Sequence, residues 1–143
     1  MPRVKDSGKE YTWHGQRSPK YMIKDTWLRH HPYWTEKEAE YVIESIQNYI
    51  RGKTHKAEFW LSELVRTYQL ARALGVSEDI LKEARRFHTQ AHTLWEWWVA
   101  ENSDGFHNPD QARVSLLKSI QTSGECVKLL EKAIEEKTRM VVR

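Results

Sequence analysis

The sequence predicts an all-α fold: an antiparallel bundle of three to four long helices behind an irregular, aromatic-rich N-terminal segment. Three observations predict it. From residue 35 onward, apolar side chains recur at steps of three and four, the period of one helix face. Helix start signals stand where those stripes begin. No stretch of apolar–polar alternation, the mark of a half-buried strand, appears. The 143 residues suit a single domain. A chain of this size buries roughly two thirds of its unfolded surface, so it needs no disulfide or metal to fold.

Residues 1–34 have no helical period and hold Gly8, Gly15, Pro19 and Pro32. They read as ordered loop or extended chain, a unit apart from the helical residues 35–143. Tyr11, Trp13, Tyr21, Trp27, Tyr33 and Trp34 are too many aromatics for a disordered tail, and they call for a surface to pack on. Thr35-Glu36-Lys37-Glu38 is a capping box, in which Thr35 and Glu38 each satisfy an orphan N–H at the helix start. Ala39, Val42, Ile43, Ile46 and Ile50 follow at helical spacing. Gly52 interrupts, and Thr54 could cap a new helix. The stripe resumes through Ala57, Leu61, Leu64, Tyr68, Ala71 and Leu74, so one long helix and two shorter ones both fit. Gly75 suits the left-handed residue that follows a helix end.

Ser77 is the next cap, with Glu78 and Asp79 in the first turn, where the helix dipole favours acids. Ile80, Ala84, Phe87, Ala91, Leu94 and Trp98 alternate steps of four and three, a heptad seam. That helix ends near residues 100–102, and Ser103-Asp104-Gly105 makes a turn. In the last helix Asn108 is the cap, Pro109 takes the favoured first position, and Gln111 completes a box-like pair. Leu116, Ile120, Ser123, Val127, Leu130 and Ile134 repeat the heptad spacing. Heptad seams on successive helices imply a bundle.

One cysteine, Cys126, excludes an internal disulfide, a cysteine-rich zinc site and a Cys-x-x-Cys redox pair. It also excludes a Cys-x-x-Cys-His haem attachment. Cys126 lies on the inner side of the last helix, which makes a buried, inert thiol. The net charge of +3 is local. Arg3, Lys5, Lys9, Arg17, Lys20, Lys24 and Arg29 outweigh Asp6, Glu10 and Asp25 in the first 34 residues, while the remainder is slightly acidic. So small an excess is weak evidence for nucleic-acid binding, motivated only by the basic N-terminal segment, and no nucleic-acid partner is expected. No apolar run reaches the roughly 18 residues of a membrane span, and no signal peptide is visible after Met1.

Histidine is the one conspicuous reagent, with seven in the chain. His88 and His92 share a helix face but supply only two ligands, where zinc takes three or four. A polar helix face is the simpler reading, and no His-Glu-x-x-His strengthens a metal. His30 and His31 precede Pro32 and fit either ligation or a turn. His107 stands before a helix cap, where histidine is common, and His55 faces solvent. Trp95, Trp97, Trp98 and Phe87 suit core and interface packing. A base-stacking surface would interleave Arg or Lys, and Glu96 and Glu101 stand there instead. No phosphate-binding glycine loop and no serine–histidine–acid set can be assembled.

The segment Trp95–Leu117, WEWWVAENSDGFHNPDQARVSLL, carries a specific pattern: an Ala-Glu-Asn-Ser turn, Gly-Phe-His-Asn-Pro, then a long amphipathic helix. It resembles the C-terminal region of pentahaem cytochrome c nitrite reductase, the ammonia-forming enzyme. Tyr11-Thr12-Trp13-His14, Arg17-Ser18-Pro19 and the stretch to His31 resemble the same family's approach to its last haem motif, so the likeness covers roughly residues 10–137. The resemblance implies that His14 and His107 match distal haem ligands, and that His31 matches the proximal histidine of the last motif. His30 is a further possible ligand.

The chain departs from that pattern where it matters most. The family motif places cysteines at positions 27 and 30, and this chain reads Trp27-Leu28-Arg29-His30-His31. Neither tryptophan nor histidine can form the thioether. The region that carries the family's other haems, its calcium and its catalytic residues has no counterpart here. The resemblance therefore implies a haem-packing and dimerisation portion of a periplasmic multihaem enzyme, inactive alone. Its partners would be a second copy through the long helices, or the missing haem-bearing part. Covalent c-type haem is excluded, and non-covalent haem or metal binding through the retained histidines stays open, as does a cofactor-free interaction module. Trp27, by its size, suits filling volume that a porphyrin holds in the family.

Overall fold

The computed structural model describes residues 3–6, 9–12, 35–101 and 103–143. Three long helices pack together: α1, Glu36–Ala73; α2, Glu78–Ala100; and α3, Pro109–Val142. The N-terminal part holds two short strands, β1 (Arg3–Asp6) and β2 (Lys9–Thr12), paired antiparallel with Val4 opposite Tyr11 and Asp6 opposite Lys9. Residues 3–6 and 9–12 are thus extended chain, one of the two readings of this segment, with a strand pairing that the sequence did not display. Four residues are too few to display a two-residue period, and the turn-favouring Ser7-Gly8 between the strands was the available signal.

One helix runs through Gly52, so the two-helix alternative falls. Thr54 caps nothing; its hydroxyl donates to the Ile50 carbonyl of the preceding turn at 3.0 Å. The 38 residues of α1 span about 57 Å at 1.5 Å each. The capping box is complete: Glu38 N–H donates to Thr35 Oγ1 at 3.2 Å, and Thr35 N–H donates to Glu38 Oε2 at 2.8 Å. At the other end Gly75 has φ +75°. Its N–H donates to the Arg72 carbonyl, and Val76 N–H donates to the Ala71 carbonyl, the paired closure of a Schellman motif. Leu74 is 43% exposed, so the buried stripe stops at Ala71 and passes to Val76.

Three other local expectations change. Ser77 holds the N-cap position of α2, but its side chain makes no capping bond. Leu81 is buried where Ile80 is only partly so. Asn108 Oδ1 accepts from Gln111 N–H at 3.2 Å, but the Gln111 amide donates to Ser115 Oγ at 3.3 Å rather than closing a box.

The seams of α2 and α3 meet in antiparallel register. Ser119 Oγ donates to the Ala91 carbonyl at 2.7 Å, and Cys126 Sγ lies 3.8 Å from the Ala84 carbonyl. Seven residues along one helix match seven back along the other, as heptad packing requires. Small residues at these crossings (Ala84, Ala91, Ser119, Ser123, Cys126) are buried and let the backbones approach. The core divides along the bundle. Leu64, Ala71, Val76, Leu81, Val127 and Leu130 fill the end near the α1–α2 turn. Ile50, Ala57, Trp98, Ala112, Leu116 and Ile120 fill the end near the α2–α3 connection. Beyond them Ala39 and Ile43 pack with Phe106.

Candidate functional site at the loop between the second and third helices

Residues 101–108 join α2 to α3, and a network of side-chain hydrogen bonds builds the turn. Glu101, at the C-cap of α2, accepts Ser103 N–H at 2.9 Å on Oε1. Its Oε2 accepts Ser103 Oγ–H at 2.7 Å and Gly105 N–H at 2.9 Å. Ser103 is wholly buried, and its Oγ in turn accepts His107 N–H at 3.1 Å. From α1, the buried Gln47 donates its amide to the Ser103 carbonyl at 3.0 Å, and Arg51 pairs with Asp104. Gly105 has φ +79° and leaves no room for a side chain: a Cβ there would lie 2.8 Å from Ile50 Cγ2. The loop is thus pressed onto α1 and tied to it.

This construction carries His107 on the outside. His107 is exposed, and no hydrogen bond or ion pair engages its imidazole among the described residues. It borders a groove of about 610 Å³ whose walls include Leu94, Trp97, Trp98, Glu101 and Gln111. Trp97 is 71% exposed there, a large aromatic surface that meets no aromatic partner among the described residues. Of the α2 tryptophans, Trp98 is buried in the core and Trp97 faces outward.

His88 and His92 lie on another face, along a groove of about 490 Å³ between α1 and α2. Their rings sit 5.5 Å apart, and His92 Nδ1 lies 3.5 Å from Glu96 Oε2. Burial, and next the neighbouring His92, lower the pKa of His88. Among the described residues no three or more His, Cys, Asp or Glu side chains converge on a metal position, so the pair lacks a third ligand. His55 is exposed and pairs with Glu58 at 3.0 Å. Cys126 is buried, and burial, helped by the charge of Glu83, pushes its thiol up to about 11. His14, His30, His31, Trp13, Trp27, Tyr33 and Trp34 lie outside the described residues.

The donor set decides what haem chemistry fits. Covalent attachment does not: the single thiol is sealed in the α2–α3 seam, in the half of the core away from His107. A coordinating role would ask for an imidazole with no other hydrogen bond, and among the described residues His107 has such an imidazole, edge-on to Phe106 at 6.3 Å and beside Leu94 and Trp97; histidine is an ordinary haem ligand.

Sequence reasoning placed Glu101, Ser103 and Gly105 in a turn, but missed the Glu101 carboxylate as the acceptor that closes it and Gln47 and Arg51 as its ties to α1. Two signals were available. Glu101 stands at a helix C-terminus, where the dipole opposes an acid unless local donors engage it. Gln47 falls on the apolar face of α1, four residues after Ile43 and three before Ile50.

Fold and loop together define a helical bundle that presents a histidine and carries no haem-attachment motif of its own. The cytochrome c552 family model matches residues 1–142, and the chain belongs to that family. It is also similar to the cytochrome c nitrite reductase subunit NrfA of Nitratidesulfovibrio vulgaris, with 30% identity over 122 residues. Those residues are 85% of this chain but 21% of that protein, so the chain spans about a fifth of the relative's length.

Proposed function

We propose that this chain is the C-terminal, haem-packing and dimerising portion of a nitrite-reductase-type multihaem protein, without reductase activity of its own. The observation that carries the reading is the family match across a chain whose position 27 is tryptophan and position 30 histidine. In this reading residues 1–34 are the remnant of the last haem-motif region, and residues 35–143 are the packing domain. His107 would supply a ligand to a haem held by another polypeptide part, and Trp97 and Leu94 would give the groove beside it its apolar lining. His14, His31 and His30 are the corresponding ligand positions of the N-terminal segment. Trp97, exposed beside Leu94 on the groove that His107 borders, supports a docking role, since a large aromatic there offers apolar area to a partner. The partner is a second copy through the long helices or the haem-bearing part. Its compartment is periplasmic; no described helix is long and apolar enough to cross a membrane.

The test is co-production of the chain with a c-type haem maturation apparatus. After denaturation and organic extraction, no haem is expected to stay with the polypeptide, and reduced viologen with nitrite yields no ammonia. Covalently retained haem, or ammonia formation, overturns the reading. Light scattering of the pure chain separates the partner arms, with twice the chain mass expected for self-association.

A further inference from the structure

We propose that Glu101 is the positioning residue of His107. This rests on the reading of His107 as a distal haem ligand and names the group that fixes it. The Glu101 carboxylate has three donors aimed at it, all from the loop: Ser103 N–H, Ser103 Oγ–H and Gly105 N–H. The hydroxyl it holds is the one that accepts His107 N–H, so the chain of bonds runs Glu101 to Ser103 to the His107 backbone. Both ends of that chain are anchored. Glu101 N–H donates to the Trp97 carbonyl at 3.1 Å, which ties it to the last turn of α2. Gln47 holds the Ser103 carbonyl from α1.

A turn that only reverses the chain has no need of this. Ser103 is fully buried, and its N–H, C=O and hydroxyl all have partners inside the loop or on α1. A buried polar set that is fully satisfied rigidifies what it holds. What it holds here is a backbone whose next side chain is an unengaged imidazole at the rim of an aromatic groove. A ligand whose backbone is already fixed gives up less freedom on coordination, so an imidazole carried on a rigid loop binds iron more tightly than one on a loose loop. Glu101 also lines that groove, but on this proposal it acts through Ser103 and does not touch the iron.

The test uses the full chain and a short c-type haem peptide whose iron carries one histidine and an exchangeable water. On binding, the water leaves and an imidazole nitrogen donates its lone pair to the iron, with no change of oxidation state. The conversion to a low-spin Soret band is titrated well below the onset of thermal unfolding. Only the part of the signal lost in His107→Ala counts, because other histidines are present. Glu101→Gln keeps the size but turns one acceptor oxygen into a donor that faces N–H and O–H groups. It is expected to weaken the His107-dependent binding about tenfold and to shift the low-spin EPR g values, which report imidazole orientation. Ser103→Ala leaves Glu101 bonded to the Ser103 and Gly105 N–H groups and removes the hydroxyl that joins Glu101 to the His107 backbone, so about threefold is expected; it serves if Glu101→Gln does not fold. A merely structural Glu101 would lower Tm and leave affinity and g values unchanged, and that result overturns the proposal while the ligand reading stands. No His107-dependent signal in the wild-type chain overturns the ligand reading and the proposal with it.

Discussion

The three helices are joined by two reversals, at Leu74–Ser77 and at Glu101–Asn108, and each uses a glycine with positive φ. Their surroundings differ. Around Gly75 the closure is backbone alone: two N–H to C=O bonds and one buried apolar residue, Val76. The nearest atoms to a Cβ there belong to the flexible end of Lys137, at 3.8 Å and beyond. Around Gly105 the closure takes a carboxylate, a buried hydroxyl, a buried amide and an ion pair, and the loop lies hard against α1. Reversing a helix requires little. Holding one residue at a chosen place on the surface requires polar groups brought in from two helices, all of them satisfied.

Exchanging each glycine for alanine measures that difference, and gives the largest expected effect. Both substitutions force a side chain into the left-handed region, at roughly 1 kcal/mol. Gly75→Ala has space and should stop there. Gly105→Ala adds a Cβ within 3 Å of two Ile50 atoms and 3.2 Å from Ala112 Cβ, in a wholly buried place. Overpacking of that kind costs about 1–3 kcal/mol more, so about 3 kcal/mol in all is expected from denaturant unfolding. Equal losses at the two sites would dissolve the contrast.

Glu101→Ala comes next. It removes the acceptor of three hydrogen bonds and leaves the buried Ser103 N–H unpaired. A loss of about 2 kcal/mol is expected, since an orphaned buried donor costs about 1–3 kcal/mol. Amide exchange should accelerate at Ser103, Gly105 and His107 and not at Val76. Faster exchange at both turns alike would mean that Glu101 supports the whole bundle rather than the loop.

The Gly75 end has its own reporter. Cys126 packs in the same cluster as Ala71 and Val76, and burial raises its thiol to about 11. A raised pKa means that the folded state holds the proton where the unfolded state releases it. Stability from this group is full below the unfolded value of about 9 and is lost as pH rises toward about 11. The slope from one proton is at most about 1.4 kcal/mol per pH unit. Cys126→Ala should flatten unfolding free energy against pH in that window. An unchanged slope would assign the alkaline loss to other groups.

The contrast between the turns also shows what a sequence displays. Helix periods, the Thr35 box, Gly75 and Asn108 were legible, because each depends on residues within four positions of one another. So was the Ser103-Asp104-Gly105 turn, whose residues are neighbours. The His107 platform was not, because Gln47 and Arg51 reach it across more than fifty residues and only packing of α1 on the loop joins them. The β1–β2 hairpin escaped for the opposite reason: it is too short for a period to develop. Resemblance supplied the haem context, which no spacing in this chain contains.

The smallest expected effect sharpens the comparison from the quiet side. Ser77 has the residue type and the position of a helix cap, and replacing such a serine by alanine commonly costs about 1 kcal/mol. Here the hydroxyl accepts no capping bond; Ser77 joins α2 through its carbonyl, which accepts Leu81 N–H at 3.1 Å. Ser77→Ala keeps that carbonyl and should change unfolding free energy by less than about 0.5 kcal/mol, as surface substitutions usually do. Asn108→Ala, at the cap that does accept an N–H, should cost about 1 kcal/mol. Measured together, the pair asks whether side-chain chemistry is confined to the connection that carries His107. A full capping loss at Ser77 would mean that both turns use it, and the loop would no longer stand apart.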